Sequence, residues 1–532
     1  MEEGRIYRVL VADKLSPKGI EILKGEETIQ CYAEPTISPG ELRATIGEYD
    51  GIIVRSATRV TADVINASNH LRVIGRAGIG VDNIDVQAAT RRGILVMNTP
   101  GENSLAAAEH TLAMMFAISR NIPQANSSTK SGKWERGKFM GVELYNKTLG
   151  IIGIGNIGSL VAERAQGLKM KVIAHDPYMS PDGAAQKGIS LVTLDDLLNR
   201  SDFISVHTPL TEETGHLIDA VAFEKMKTGV TIVNCARGGI VDEGALLQAL
   251  KLGKVRGAAL DVFEREEAGK NPLFDLENVI CTPHIGAATS EAQENVAVAI
   301  ANQVVDYLIN RRIRNAVNIP MVSPDVLPVI EPYLDLGENL GSFLTQVSDF
   351  PIEELSIEYK GSVAEYEVSP VTVSILRGLL TPYMGEVVNF VNASILAKER
   401  GIRVRESRSS SPEDFASMVT ITAMGRGERN MVAGALFGTK DYRIVQINDF
   451  LIEAVPRGNM LLIQNYDKPG VIGNIGMALG AQGINIATMQ FSRDRMGGNA
   501  ISLLHLDSVI SREVIEELSR LPNIISVKHI EL

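Results

Sequence analysis

Leu149-Gly150-Ile151-Ile152-Gly153-Ile154-Gly155-Asn156-Ile157-Gly158, with Lys171-Val172-Ile173-Ala174-His175-Asp176 after it, decides the fold. An apolar run of strand length breaks into G-x-G-x-x-G, a helical segment follows over residues 159–168, and a second apolar strand ends in an acid. The three glycines do different things. Gly153 permits a tight turn, Gly155 lets the backbone approach a pyrophosphate, and Gly158 lets helix and strand pack closely. The helix N-terminus then offers unpaired N–H groups and a partial positive charge to phosphates, and Asn156 and Ile157 of the turn join the cofactor-binding set. Asp176 is placed to accept hydrogen bonds from adenosine ribose hydroxyls. A carboxylate there repels a 2′-phosphate, and Pro177-Tyr178 brings no compensating arginine, so NAD is expected over NADP.

Outward from this stretch, a chain of 532 residues has room for about three to five domains. A hydrophobic fraction of 45% and a charged fraction of 22% are ordinary for a soluble globular protein. The net charge of −12 argues against nucleic acid or an anionic membrane as partner, since both want a basic surface. An anionic ligand must then meet a local basic cluster. Cys31, Cys235 and Cys281 stand far apart without a C-x-x-C, which suits a reducing cytoplasm and gives no metal motif. The opening Met-Glu-Glu-Gly-Arg leads into no apolar run of signal-peptide type, and no stretch approaches bilayer length, so a soluble cytoplasmic protein is expected.

Before the fingerprint, short apolar strands (residues 8–12, 51–54, 71–75 and 93–97) alternate with helical segments (39–48 and 62–67), which predicts a parallel sheet flanked by helices. A long apolar helix over 104–119 leads into a polar stretch, 121–147, around the single tryptophan, Trp134. That stretch is too polar for a core and too long for a simple connection, so it is expected to reach over a partner surface. After the fingerprint, strands over 203–207, 231–235, 258–262 and 279–282 continue the rhythm, each ending in polar residues. In open α/β sheets the carboxyl ends of strands face the ligand crevice. A helix over 289–310 then leaves this unit and is expected to return to the first one, with the cleft between the two. The βα repeat ceases near Asn318-Ile319-Pro320, residues 443–450 alternate like a half-exposed strand, and from Gly458 the order reads βαββαβ, a ferredoxin-like unit.

Three residues at later strand ends point to chemistry. Arg237, where a strand meets a glycine turn, can grip a carboxylate through two parallel hydrogen bonds. His284 is the natural proton acceptor, histidine being the side chain that titrates closest to neutral pH. Glu266 can fix the imidazole tautomer and stabilise its charged form. Each alone reads as a surface ion pair or a satisfied core histidine; the three together, beside a nicotinamide site, read as an active site.

These residues carry a resemblance. Val54-Arg55-Ser56-Ala57-Thr58, Arg76-Ala77-Gly78-Ile79-Gly80-Val81-Asp82-Asn83-Ile84-Asp85, Asn98-Thr99-Pro100-Gly101, the glycine fingerprint, His207-Thr208-Pro209, the Arg237 segment and Thr282-Pro283-His284-Ile285-Gly286 together resemble the D-2-hydroxyacid dehydrogenase family, in its long multi-domain form. One departure is that Glu267 and Ala268 stand where a proline commonly follows the catalytic glutamate. The resemblance implies NAD-dependent oxidation of 3-phosphoglycerate at C2 to 3-phosphohydroxypyruvate, with His284 as base, opening the route to L-serine. Glyoxylate or hydroxypyruvate reduction is the neighbouring alternative, and an NAD-sensing binding protein the remote one. It adds His207, Thr208, Pro209, Cys235, Ala236, Asp261 and Gly286 to the cofactor-binding set, with Asp261 orienting the nicotinamide carboxamide. For the substrate it implies Arg55, Ser56, Arg76 and Gly78, with Asn103 near the carboxylate; Arg59, Arg136 and Lys138 are further cations for the phosphate. Arg136 and Lys138 lie on the Trp134 excursion, which in this family can cross to a neighbouring subunit of a dimer or tetramer.

The implied architecture is α/β: a Rossmann-type NAD-binding domain (99–285) inserted in a flavodoxin-like substrate domain (1–98 and 286–317). An α+β intervening domain (318–456) and a ferredoxin-like ACT domain (457–532) follow. Gln464-Asn465-Tyr466-Asp467-Lys468-Pro469-Gly470 and Gly483-Ile484-Asn485-Ile486 resemble that amino-acid sensor, with Asn465, Asp467 and Asn485 as contacts for an effector, L-serine in the implied pathway. Asn485 is expected to complete the site, across a dimer seam if edge strands pair. The bland alternative is a dimerisation module without ligand.

Overall fold

The computed structural model describes residues 5–266, 269–323, 325–411 and 415–532; the Glu267–Ala268 departure lies outside the described residues. Five parallel strands form the first sheet, in the order Ile29–Ala33, Tyr7–Val11, Gly51–Val54, Val73–Arg76, Leu95–Met97, the flavodoxin-like order. Gly51–Val54 is buried throughout, as a central parallel strand covered on both faces must be. The edge strand Ile29–Ala33 and the helices Pro17–Gly25 and Val86–Arg91 have no strong sequence signal. An edge strand needs only part of its residues apolar, and this one buries Ile29 alone.

The second sheet has seven parallel strands: Val279–Cys281, Val255–Leu260, Val230–Asn234, Phe203–Val206, Thr148–Ile152, Lys171–His175, Ser190–Leu191. The order reverses between Thr148–Ile152 and Phe203–Val206, and the carboxyl ends of strands at such a switch point open a ligand crevice. Helix Asn156–Gly167 starts earlier than its apolar spacing suggests, directly at the glycine turn. Helix Ser290–Asn310 returns to the first sheet as expected, and its Val296, Ala297, Ile300 and Val304 join Val9, Val11, Val73 and Leu95 in one core. Gly75 makes that contact possible, because a Cβ there would stand 2.8 Å from Ile300 Cγ1.

The stretch after residue 318 is more regular than its sequence suggests. Helices Leu327–Val347 and Ser369–Met384 cover a mixed six-stranded sheet built from Glu354–Gly361 to Phe450–Ala454. The last sheet is antiparallel, in the order Ile486–Arg493, Asn499–Leu506, Asn459–Tyr466, Ile524–Glu531, with helices Val471–Ala481 and Arg512–Ser519 on one face. Its other face, through Met460, Ile501, Leu503 and Ile530, joins the core of the preceding unit. Among the described residues no helix is long and apolar enough to cross a membrane.

Candidate active site

The glycine turn has the geometry its residues dictate. Gly153 sits at φ +91°, and a Cβ on Gly158 would stand 2.1 Å from the Gly153 carbonyl oxygen, so helix and strand close up only around glycine. Gly155 has nothing within 4 Å of its missing Cβ, which leaves the backbone open to a phosphate. Asp176 bridges this turn to its own loop: Oδ2 accepts from Ile154 N and Oδ1 from Tyr178 N, both at 2.8 Å. Pro177 follows in that loop. A carboxylate oxygen has a second lone pair for a ribose hydroxyl.

Across the crevice, His207, Thr208 and Pro209 leave the end of Phe203–Val206. His207 Nε2 lies 2.8 Å from Ser205 Oγ, and burial pushes its titration down to about 4, so the imidazole is neutral at working pH. Thr208 Oγ1 is buried with no partner. An open glycine turn, an acid at the next strand end and an unpaired buried hydroxyl together fit a dinucleotide. Cys235 and Ala236 are buried at the end of Val230–Asn234; burial, with Asp261 nearby, pushes the Cys235 thiol up to about 12, which keeps it neutral.

The turn that presents Arg237 is framed by buried Asn234, whose side chain accepts from Ala236 N at 3.0 Å and donates to Arg237 O at 2.9 Å. The guanidinium crosses to the first unit. Its Nε donates to Asp82 Oδ2 at 3.2 Å and its Nη1 to Ala236 O at 2.7 Å. A Cβ on Gly80 would stand 2.1 Å from its Nη2. Gly238, next in sequence, lets the Phe263 carbonyl pass, since a Cβ there would stand 1.8 Å from it.

His284 occupies the left-handed region at φ +52°. Its Nδ1 lies 2.7 Å from Glu266 Oε1, so the structure brings these two together. Asp261, fully buried, anchors the loop. Thr282 Oγ1 and Ile285 N donate to its Oδ1 at 2.6 and 2.9 Å, Gly286 N to its Oδ2 at 2.8 Å, and His284 N to its carbonyl at 2.9 Å. Burial pushes the Asp261 carboxyl up, but bonds from His110, Thr282, Ile285 and Gly286 together hold it below the usual range. His110, from helix Ser104–Arg120, lies 3.3 Å from the same oxygen. Sequence reasoning gave no role to Asp82 and Asn234, although both lie in motifs quoted for the resemblance, nor to His110, which lies in none.

The basic cluster forms in part. Arg76 is half-buried, and desolvation lowers its guanidinium to about 10, with Arg55 and Arg237 near enough to add repulsion. Its Nε donates to Asn83 Oδ1 at 3.1 Å, and a Cβ on Gly78 (φ +150°) would stand 2.7 Å from its Nη1. Arg55 Nη1 donates to Lys14 O at 3.0 Å; Ser56 and Arg59 are exposed beside it. Asn103 precedes helix Ser104–Arg120 with its Oδ1 buried and unpartnered. On the excursion, helix Ile122–Lys130 buries none of its residues. Trp134 is 74% exposed with Arg136 5.5 Å above its ring, and Lys138 is held by Glu277 at 3.2 Å.

Within one chain the structure separates two of the effector candidates. Ile486 pairs with Leu506 and Leu506 with Asn459, whereas Asp467 follows Tyr466 at the far end of that strand. Asn485 and Asp467 therefore lie roughly 25 Å apart by strand rise. Asp467 Oδ2 accepts from Gly497 N at 3.0 Å and Arg493 Nη1 at 2.9 Å, and these bonds hold its carboxyl below the usual range. Asn485 donates to Asp507 Oδ2 at 2.6 Å. Asn465 is buried and donates to Tyr466 O at 2.9 Å, its own Oδ1 unpartnered.

Residues 112–286 match the D-isomer specific 2-hydroxyacid dehydrogenase NAD binding domain, and residues 329–448 the D-3-phosphoglycerate dehydrogenase intervening domain. Curated relatives named D-3-phosphoglycerate dehydrogenase match almost end to end. That of Synechocystis sp. is 46% identical over 97% of this chain and 93% of its own, and that of Archaeoglobus fulgidus 44% over 99% and 100%. Among solved structures, the TT0316 protein of Thermus thermophilus is 34% identical with a TM-score of 0.55, over 58% of this chain and 99% of its own. The D-lactate dehydrogenase of Aquifex aeolicus, solved with NAD and lactic acid, is 29% identical with a TM-score of 0.52, over 59% and 100%.

Proposed function

The chain belongs to the D-3-phosphoglycerate dehydrogenase family, among the D-isomer specific 2-hydroxyacid dehydrogenases, and on that premise we propose how its residues perform the reaction. The enzyme oxidises 3-phospho-D-glycerate to 3-phosphohydroxypyruvate with NAD, the first step of the phosphorylated route to L-serine. Bound NAD supplies the hydride acceptor. The observation that carries the reading is the 2.7 Å contact of His284 Nδ1 with Glu266. With Nδ1–H donated to the carboxylate, Nε2 is the acceptor, and it takes the C2 hydroxyl proton as C2 becomes a ketone carbon. Glu266 holds the tautomer and stabilises the imidazolium until the proton passes to water. Arg237 holds the substrate carboxylate, helped by Asn103. Arg55, Ser56, Arg76 and Gly78 receive the phosphate, joined by Arg59, and by Arg136 and Lys138 from a neighbouring subunit. The glycine turn, Asp176 and the 207–209 and 235–236 segments hold the cofactor, with Asp261 and Gly286 at its nicotinamide end.

In a steady-state assay of NADH formation, 3-phosphoglycerate is expected to exceed non-phosphorylated 2-hydroxy acids in kcat/KM by about 10² or more, since charged hydrogen bonds to the phosphate contribute roughly 1.5–3 kcal/mol each. Faster turnover of glyoxylate or hydroxypyruvate in the reverse direction overturns the substrate assignment. The cofactor assignment predicts efficient use of NAD over NADP, and Asp176→Ala is expected to narrow the gap by removing the charge that meets the 2′-phosphate. Equal kcat/KM of the natural enzyme with both cofactors contradicts it.

We place the four-domain division at residues 1–98 with 286–317, 99–285, 318–456 and 457–532, and the enzyme in the cytoplasm as a homo-oligomer. L-Serine is the proposed effector of the last unit. Helix Val471–Ala481 offers N–H groups to the carboxylate and Asp467 the charge for the ammonium group. Because Asn485 stands at the opposite end of its own sheet, it completes the site only from a second copy related by a two-fold axis, which sets one end of the sheet beside the other. Calorimetry with L-serine is expected to show binding that Asp467→Ala and Asn485→Ala each abolish. No binding to the full-length protein returns the unit to a dimerisation module.

A further inference from the structure

Glu266 lies on a segment that its surroundings hold at the two ends. At the near end, Phe263 passes over Gly238 and sets its ring edge-on to Phe274, with centroids 5.1 Å apart. Next to it, Glu264 N donates to Glu243 Oε1 at 2.7 Å. At the far end, Asn271 Nδ2 donates to Glu243 Oε2, also at 2.7 Å. One carboxylate thus takes hold of both ends of the segment, and its negative charge suits its place at the first position of helix Glu243–Lys251. Glu264 returns the contact through its own carboxylate, which lies 3.4 Å from Glu243 N and 3.2 Å from His216 Nε2.

The far end of the segment is tied as well to the turn after it, where Asn271 Oδ1 accepts from Leu273 N at 3.0 Å and Asn271 O from Phe274 N at 2.9 Å. A groove of about 220 Å³ lies between the segment and the helix, lined by Glu243, Leu247, Glu264, Lys270 and Asn271. In sequence the segment from Glu264 to Asn271 contains no proline. The two charge-assisted bonds from Glu243 fix the backbone on either side of Glu266, whose carboxylate lies 2.7 Å from His284.

We propose that Glu243 is a positioning residue for the Glu266–His284 pair, clasping the segment that carries Glu266 without touching substrate or cofactor. The inference rests on the proton-relay reading above. It is tested by steady-state kinetics of the full-length enzyme for Glu243→Ala, Glu243→Gln, Asn271→Ala, Glu266→Gln and the double variant Glu243→Ala/Glu266→Gln. Glu243→Ala is expected to lower kcat about tenfold, since a small misplacement at a reacting centre costs up to about 10², with KM for NAD unchanged. Glu243→Gln keeps an acceptor for the Glu264 N–H and recovers kcat to within about threefold of the natural enzyme. Asn271→Ala, which releases only the far end, gives an intermediate loss and serves as the second variant if Glu243→Ala folds poorly. The double variant is no slower than Glu266→Gln alone, because residues acting through one group are not additive. Natural kcat in both Glu243→Ala and Asn271→Ala, or multiplying losses in the double variant, overturns the proposal while the relay stands. Natural kcat in Glu266→Gln overturns the relay reading, and the proposal with it.

Discussion

Replacing His284 with Gln is expected to lower kcat by about 10² to 10⁴, the usual worth of a positioned general base, while NADH affinity stays within about twofold. Glutamine has similar reach but cannot take a proton, so the C2 hydroxyl loses its acceptor. The fold should be little disturbed. The loop is held by the Asp261 carboxylate and by backbone bonds rather than by the imidazole, and the side-chain bond lost is that to Glu266, itself partly exposed. The left-handed backbone at φ +52° disfavours most side chains, whereas asparagine adopts it readily. His284→Asn therefore serves as a second variant that separates backbone strain from chemistry. A matching loss of kcat in both, with unchanged melting temperature, assigns the effect to the proton. A variant that keeps natural kcat removes His284 from the reaction.

Arg237→Ala is expected to cost about 10² or more in kcat/KM for 3-phosphoglycerate, because truncating one side of a hydrogen-bonded charge pair typically costs 2–5 kcal/mol. The loss should fall mainly on KM, since the substrate carboxylate is present in ground state and transition state alike. Arg237→Lys should recover only a small part, because an ammonium group cannot reproduce the parallel fork of a guanidinium. Stability should hardly change: the partner left behind, Asp82, has a side chain 70% exposed and is rehydrated at little cost. The guanidinium bridges the two α/β units through Asp82 and leans on Gly80, so the same substitution also loosens contact across the cleft. A kcat/KM within threefold of the natural enzyme would place the carboxylate grip elsewhere.

Much of this protein is readable from sequence because its signals are local. Strand-length apolar runs, the spacing of Gly153, Gly155 and Gly158, and an acid at the end of the next strand depend on neighbours a few residues away, and those neighbours are written side by side. Strand ends in a parallel sheet share one edge, so Arg237, Glu266 and His284 are expected on one side of the crevice on the order of elements alone, while the 2.7 Å contact of the last two also depends on how the segment carrying Glu266 is held. Edge strand Ile29–Ala33 escapes such a reading because an edge needs little apolar sequence, and the sheet of the intervening unit escapes it because its strands pair across long separations. Tertiary structure alone decided what holds the site. Asp82 reaches Arg237 across 155 residues of chain, His110 reaches Asp261 from helix Ser104–Arg120, and Glu243 clasps a segment more than twenty residues on. It also decided that Asp467 and Asn485, eighteen residues apart in sequence, stand at opposite ends of one sheet, because a strand–helix–strand crossover returns the chain to the edge from which it set out. Local patterns dictate which elements form; which lone carboxylate or imidazole meets which loop depends on how those elements pack, and no short stretch of sequence encodes that.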